Sequence, residues 1–289
     1  MGLHGEREHW FSFRDSCIVV IEKGGAGSPF FSRKKYSLFF LHGRFGHTEM
    51  WAPLIESFSA HYRCFVLDLP GFGKSFMARD RAFSLLDHSA LVLELIQKLS
   101  SPDEKIILIG HDIGGGIAQL CALNRPENIA ALILMNSVGI TSQLSKVSTC
   151  FHGYFARKKL QQLISQARSI VPQYKRDLSH PWESRLSRQL ISKAMLALEE
   201  SWPWHYERQT WKNAIQNFPL PVLLLWGKND SLNLPQEGME LAHRFPEAYF
   251  FIHEEAGHWP CLEQTDWVLL KMKEFIFKLG YETQIAMQR

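Results

Sequence analysis

One short segment constrains this chain more than any other. Residues Ile109-Gly110-His111-Asp112-Ile113-Gly114-Gly115 follow the short apolar run Lys105 to Ile109 and lead into a helical stretch ending near Leu123. A continuous apolar run bounded by glycine is what a strand buried on both faces of a parallel sheet requires. Turning from such a strand straight into a helix holds the residue at the tip in a strained conformation, and its close neighbours must be glycines. The tip residue then stands above the carboxyl end of the sheet, where open α/β folds place their ligands. Most turns of this pattern carry serine at the tip; here it is Asp112.

The rest of the chain reads consistently with that strand. Ser16 to Lys23, Tyr36 to Leu41 and Arg63 to Leu69 are rich in β-branched and aromatic residues and end at Gly or Pro turns. A helix is expected from about Leu85 to Leu99 and a strand from Ile129 to Met135. The theme returns with a strand at Pro221 to Trp226, a helix near Gln236 to Phe245, a strand at Tyr249 to His253 and a last helix near Asp266 to Leu279. Strands alternating with helices mean βαβ units and a mostly parallel central sheet flanked by helices.

Residues 138–218 break the alternation, with helical patterns and no convincing strand. They hold 12 Lys and Arg against 5 Asp and Glu, while the remainder holds 20 against 24. The expected organisation is therefore an α/β core of residues 1–137 and 219–289, with a basic helical cap at 138–218 inserted after the sixth strand. A solvated basic face explains the same charge equally well.

Composition excludes several classes. With 46% hydrophobic residues among 289, the chain has ample material for a core, and a net charge of +3 is too small to argue for nucleic-acid binding. The longest apolar run, Ile129 to Met135, is far short of the roughly 18 residues that span a bilayer. The five cysteines, Cys17, Cys64, Cys121, Cys150 and Cys261, form no CxxC pair, so neither a zinc site nor a disulfide framework is expected. The N-terminal ten residues are polar and lack a signal-peptide core, which leads to the expectation of a cytoplasmic protein, monomeric or dimeric.

Four further motifs stand in a telling order. Leu41-His42-Gly43-Arg44-Phe45-Gly46 and Asp68-Leu69-Pro70-Gly71-Phe72-Gly73-Lys74-Ser75 precede the Asp112 turn; Trp226-Gly227-Lys228-Asn229-Asp230 and Ala256-Gly257-His258-Trp259-Pro260 follow it. With the Asp112 turn, they make nearly the whole chain resemble an α/β-hydrolase-fold enzyme. Asp at the elbow is similar to the aspartate-nucleophile branch of epoxide hydrolases and haloalkane dehalogenases. The resemblance implies a catalytic set of Asp112, Asp230 and His258, an oxyanion hole of the Arg44 and Ile113 backbone N–H groups, and no cofactor or metal. The order nucleophile, acid, histidine is the one this fold uses.

An aspartate changes the chemistry. Its unperturbed pKa is about 3.9, so it is ionised near neutral pH and needs no base to attack. The resemblance implies that Asp112 displaces halide or an epoxide oxygen from an alkyl carbon, leaving an ester that water activated by His258 hydrolyses. The epoxide hydrolase reading leads; haloalkane or haloacid dehalogenase, and an esterase or C–C hydrolase in which Asp112 is a base or anchor, are alternatives. A non-catalytic ligand-binding protein is the last. The chain departs from each pattern: Ile113 stands where haloalkane dehalogenases place Trp, Gly114, Gly115 and Gly116 where haloacetate dehalogenases carry arginines, and Phe45 where epoxide hydrolases carry Pro. Tyr154, Tyr174, Tyr206 and Trp259 are the substrate-binding candidates. Arg44 either offers only its backbone N–H or sends its guanidinium into the pocket to receive an anion. With the basic cap, the second option would favour a small-molecule substrate that is acidic.

Overall fold

A computed structural model describes residues 6–24, 36–44, 46–78, 83–124, 126–139 and 217–288. Eight strands, β1 (Glu6–Phe13), β2 (Ser16–Lys23), β3 (Tyr36–Leu41), β4 (Arg63–Leu67), β5 (Lys105–His111), β6 (Ile129–Met135), β7 (Val222–Gly227) and β8 (Ala248–His253), form one sheet in the order β1-β2-β4-β3-β5-β6-β7-β8. β1 and β2 pair antiparallel, as do β2 and β4; from β4 through β8 every pairing is parallel.

The burial of each strand explains its place. β5 and β7 are interior strands, paired on both sides, and their side chains from Ile106 and Val222 onward are buried throughout, as the faces of a parallel sheet are covered by helices. The described α-helices are α1 (Ala52–Phe58), α2 (Leu85–Leu99), α3 (Ile113–Asn124) and α4 (Pro235–Ala242), which lie between strands, and the single turn α5 (Pro260–Glu263) and α6 (Thr265–Gln288), which follow the last strand. β8 lies at the sheet edge and is only half-buried, with Phe251 exposed. β1 is exposed at Arg7, Glu8, Trp10 and Ser12, half-buried at Glu6, His9 and Phe11, and buried only at Phe13, as befits a strand at the sheet edge. That polarity hides it from a reading based on apolar runs.

α2 starts where its sequence says it must. The Ser84 hydroxyl accepts from the Asp87 N–H at 3.1 Å and the Asp87 carboxylate accepts from the Ser84 N–H at 2.9 Å, a reciprocal cap. The expected elements agree with the observed ones to within a few residues at most ends, the last helix running on to Gln288. Of the expected cap at 138–218, residues 140–216 lie outside the described residues, as do Tyr154, Tyr174, Tyr206 and Cys150 within them, and Phe45.

Parallel register sets the working edge. Leu41 is level with Gly110, His111 with Met135, and Met135 with Leu225. The segments leaving β3, β5, β6 and β7 therefore emerge side by side at one carboxyl edge.

Candidate active site

The elbow has the strained geometry that its sequence implies. Asp112 has φ +53°, a left-handed conformation that non-glycine residues seldom adopt, and its N–H donates to the Met135 carbonyl at 3.2 Å. The turn closes only without side chains at its flanks. A Cβ on Gly110 would lie 2.5 Å from the Gly115 Cα, and one on Gly115 would lie 2.6 Å from the Ser137 Cβ. Ile113 follows as the first, buried residue of α3.

The Asp112 side chain is wholly buried. Both oxygens are engaged. Oδ2 accepts from the Arg44 backbone N–H at 2.9 Å and from Arg44 Nε at 2.8 Å. Oδ1 accepts from Arg44 Nη2 at 2.7 Å and from Asn233 Nδ2 at 2.9 Å. The two options open for Arg44 are thus both realised, and on the same partner: the backbone sits where an oxyanion donor is expected, and the guanidinium grips the carboxylate in bidentate fashion. A carboxylate free for attack is not what the chain presents at rest. Burial opposes ionisation of Asp112, but the Arg44 charge and hydrogen bonds outweigh it and hold the carboxyl well below the usual carboxylate range.

Beside it stands a second, separate pair. His258 Nδ1 meets Asp230 Oδ2 at 2.8 Å, and both residues are buried. Asp230 Oδ1 accepts from the N–H groups of Leu232 at 2.8 Å and Asn233 at 3.1 Å. Burial works against an imidazolium at His258, yet the Asp230 charge and hydrogen bond prevail, so its pKa is raised. The Nε2 atom of His258 is buried and has no hydrogen-bond partner among the described residues. It is the nitrogen on which a proton can be received.

Supporting residues fix the rings. His111 Nε2 lies 2.7 Å from the His258 carbonyl, and the two rings meet edge-on at 4.7 Å. Desolvation lowers the pKa of His111 to about 4, so the neutral ring donates through Nε2 to that carbonyl. His42 is neutral for the same reason, with a pKa of about 3; its Nε2 accepts from the Leu69 N–H at 3.0 Å and its Nδ1 donates to Gly43 O at 2.8 Å. Trp259 is buried against the His258 ring, centroid to centroid 4.8 Å. Asp68 is loop architecture: its carboxylate accepts from the Thr48 and Lys74 N–H groups.

Three positions that the sequence reading passed over complete the arrangement. Asn136, at φ +42°, donates to Asp230 Oδ2 and to Gly257 O while its Oδ1 accepts from the Gly227 N–H. Asn233 ties the acid's turn to Asp112 and also donates to Asn136 O at 2.6 Å. Glu263 accepts from the N–H groups of Gly257 and Trp259 and so holds the histidine loop. A polar residue directly after the apolar run of β6 was the available signal for Asn136; for the other two the sequence carries none.

Among the described residues no group of three His, Cys, Asp or Glu could hold a metal ion, and no helix is long and apolar enough to cross a membrane.

Residues 36–265 match the alpha/beta hydrolase fold family, and the chain belongs to it. It is a hydrolase of that fold. It is 24% identical over 255 residues to the 2-hydroxymuconate semialdehyde hydrolase of Pseudomonas sp. strain CF600, covering 85% of each chain. Identity to the pimeloyl-acyl-carrier-protein methyl ester esterase of Vibrio campbellii is 25% over 258 residues, covering 82% of this chain and 93% of the relative. A serine hydrolase involved in carbazole degradation superposes with a TM-score of 0.72 at 16% identity, over 94% of this chain and 99% of that one. That likeness is one of fold.

Proposed function

We propose that this hydrolase cleaves bonds at a saturated carbon through a covalent ester on Asp112, opening an epoxide or displacing halide. One observation carries the reading: the Arg44 N–H, the donor expected to hold an oxyanion, already holds Oδ2 of Asp112 itself at 2.9 Å. A substrate carbonyl oxygen has no place there while that bond persists. The carbonyl to be attacked by water is then that of the Asp112 ester, with Oδ2 in the position of its oxyanion.

The steps follow from the groups in place. Asp112 Oδ1 forms a bond to the alkyl carbon as the leaving group takes its electron pair: halide departs, whereas the oxygen of an opened epoxide stays on the substrate and takes a proton from water. Water then attacks Cγ of Asp112, giving its proton to His258 Nε2. Asp230 orients the ring and stabilises the imidazolium. Collapse breaks the bond between Cγ and Oδ1, the alcohol leaves with Oδ1 and takes the proton from His258, and the Asp112 carboxyl, now carrying the oxygen of the water, loses its proton to solvent and is restored as the carboxylate. The alkyl group gains hydroxyl and the water supplies it in net terms.

The similarity to an esterase and to a semialdehyde hydrolase favours a second reading. Asp112 would then remain a fixed anion and His258 would direct water at a substrate carbonyl. Single turnover in oxygen-18 water separates the two. The ester route places the label in the Asp112 peptide and leaves the first product unlabelled. Label in the first product and none in Asp112 overturns it.

A further inference from the structure

We propose that Asn233 is a catalytic residue of this hydrolase: its Nδ2 stays on Oδ1 of Asp112 when that oxygen becomes the bridging oxygen of the ester, and stabilises the charge that Oδ1 gains as the ester breaks. The inference rests on the covalent reading above. It gives the site a donor for the departing oxygen, apart from the Arg44 N–H that holds Oδ2.

The partners of the amide fix its orientation. Nδ2 lies 2.9 Å from Asp112 Oδ1 and 2.6 Å from the Asn136 carbonyl, both acceptors, while Oδ1 of Asn233 lies 3.3 Å from Arg44 Nη2, a donor. A flipped amide would set its oxygen against two acceptors and its NH2 group against a guanidinium. The backbone is fixed as well: the Asn233 N–H donates to Asp230 Oδ1 at 3.1 Å, and its carbonyl accepts from Trp226 Nε1 at 2.9 Å. The turn that carries the acid therefore uses the Asn233 backbone alone. Its buried side chain serves the other carboxylate, 121 positions away in sequence.

What Oδ1 can accept changes through the cycle. At rest it takes two bonds, from Asn233 Nδ2 and Arg44 Nη2. Bonding to carbon leaves it one lone pair in the ester plane, so one donor gives way. Nη2 then keeps an acceptor in Oδ1 of Asn233. The Nδ2 hydrogen facing Asp112 has no other acceptor among the described residues, since its neighbour is held by the Asn136 carbonyl. Asn233 is thus the donor that stays. Once water has added to Cγ and passed its proton to His258 Nε2, Cγ carries Oδ1 with the alkyl group, the oxyanion Oδ2 and the new hydroxyl. As Oδ2 reforms its double bond, the electron pair of the Cγ–Oδ1 bond leaves with Oδ1, which takes the proton from His258. A donor already on Oδ1 stabilises the charge that develops there and not the resting ester to the same extent. The benefit is greatest for simple alkyl groups with no electron-withdrawing neighbour, whose alcohols are the poorest leaving groups, and this is the substrate class that Asn233 serves.

The test uses the full chain with ethyl bromide, 2-fluoroethyl bromide and propylene oxide as probes. Mass spectrometry of the Asp112 peptide reads the rate at which the adduct forms and the rate at which it decays. Asn233→Ala is expected to form the adduct within about threefold of the native rate and to break it down about 100-fold more slowly. The loss should be larger for the ethyl ester than for the 2-fluoroethyl ester, because fluorine makes the departing alcohol more acidic. A merely structural role slows both steps together and both esters alike; that result overturns the proposal, as does decay at the native rate. His258→Gln, which holds the ester, gives a second reading with Asn233 intact should Asn233→Ala fail to fold. A crystal structure of that chain after ethylation should show Asn233 Nδ2 within hydrogen-bond distance of the ester Oδ1, and a separation beyond about 3.5 Å overturns the proposal. Each of these refutations leaves the covalent reading intact. No adduct on Asp112 with any probe, in the native chain or in His258→Gln, overturns the covalent reading and the role of Asn233 with it.

Discussion

Replacing Arg44 by Met tests the electrostatic core of the site without any substrate. The methionine keeps most of the volume and removes the two guanidinium bonds to Asp112, leaving the backbone N–H and Asn233 Nδ2. Breaking a buried ion pair by deleting one partner costs about 3–5 kcal/mol. At about 2–3 °C per kcal/mol for a protein of this size, the apparent melting temperature should fall by roughly 6–15 °C near neutral pH.

The sign with pH distinguishes this cause from lost packing. In the native protein the Asp112 pKa is depressed, so its contribution is present above the unfolded value of about 3.9 and is lost only as pH falls through the folded value. Without Arg44 the leading influence left is burial, which raises the folded pKa above the unfolded one. The variant then gains stability as pH falls through that raised value, because the buried carboxyl takes up a proton. The gap between the two proteins, measured by urea titration, should be widest above about pH 7 and should narrow toward about pH 5. Asp112→Asn added to Arg44→Met should recover at least about 2 kcal/mol relative to the sum of the single changes. A gap that is constant with pH, or single effects that simply add, would refute the argument that the Arg44–Asp112 charge pair governs this region.

Three other outcomes are expected. Asp230→Asn removes the influence that raises the His258 pKa, so the acid limb of ester breakdown should move to lower pH while the rate falls by about 10²–10⁴, read by the decay of the Asp112 adduct. Gly115→Ala places a methyl against Ser137 Oγ and Cβ and should cost about 1–3 kcal/mol in urea titration, whereas Ala at the exposed Lys98 of α2 should change stability by no more than about 0.5 kcal/mol. Cys64 and Cys121 are buried with thiol pKa values pushed up to about 12, and burial raises Cys261 as well. All three should stay unmodified by iodoacetamide in the folded chain near pH 8 and react on addition of denaturant, as peptide mapping would show.

The fold was legible because burial on both faces leaves a strong trace. β3, β5, β6 and β7 are apolar runs closed by Gly or a polar residue, and α2 announces itself by Ser84 and Asp87. β1 left no such trace, since half of its residues face water and its order comes from pairing with β2. At the site, Asp112, Asp230 and His258 were legible as motif residues at the ends of β5, β7 and β8, where the register brings them together. The partners of those residues were not. That Arg44 turns its guanidinium onto Asp112 is set by contacts across 68 positions of sequence, and the Asn233 bond to Asp112 spans 121. Side-chain direction at that range depends on the packed loops, which spacing does not encode.

The two asparagines give the site an asymmetry with chemical content. Asn136 donates to Asp230 and Asn233 donates to Asp112, and the two are joined through the Asn136 carbonyl. Each carboxylate thus has one neutral amide donor, but the charged partners differ: Asp112 faces a permanent cation, whereas Asp230 faces a histidine that titrates. A carboxylate tied to arginine is held ionised well below the usual carboxylate range. One tied to histidine changes its environment whenever a proton moves. The first arrangement suits a group that forms and breaks a covalent bond while remaining an anion at rest, and the second suits a relay for protons. Exchanging the roles, with Asp112 bonded to the imidazole and Asp230 to Arg44, would leave a nucleophile whose environment followed the proton on the histidine, and a histidine that lost its carboxylate partner whenever the ester formed. The division of labour therefore depends on Arg44 lying directly after Gly43 at the end of β3, level with the elbow, where its backbone and its side chain reach the same carboxylate.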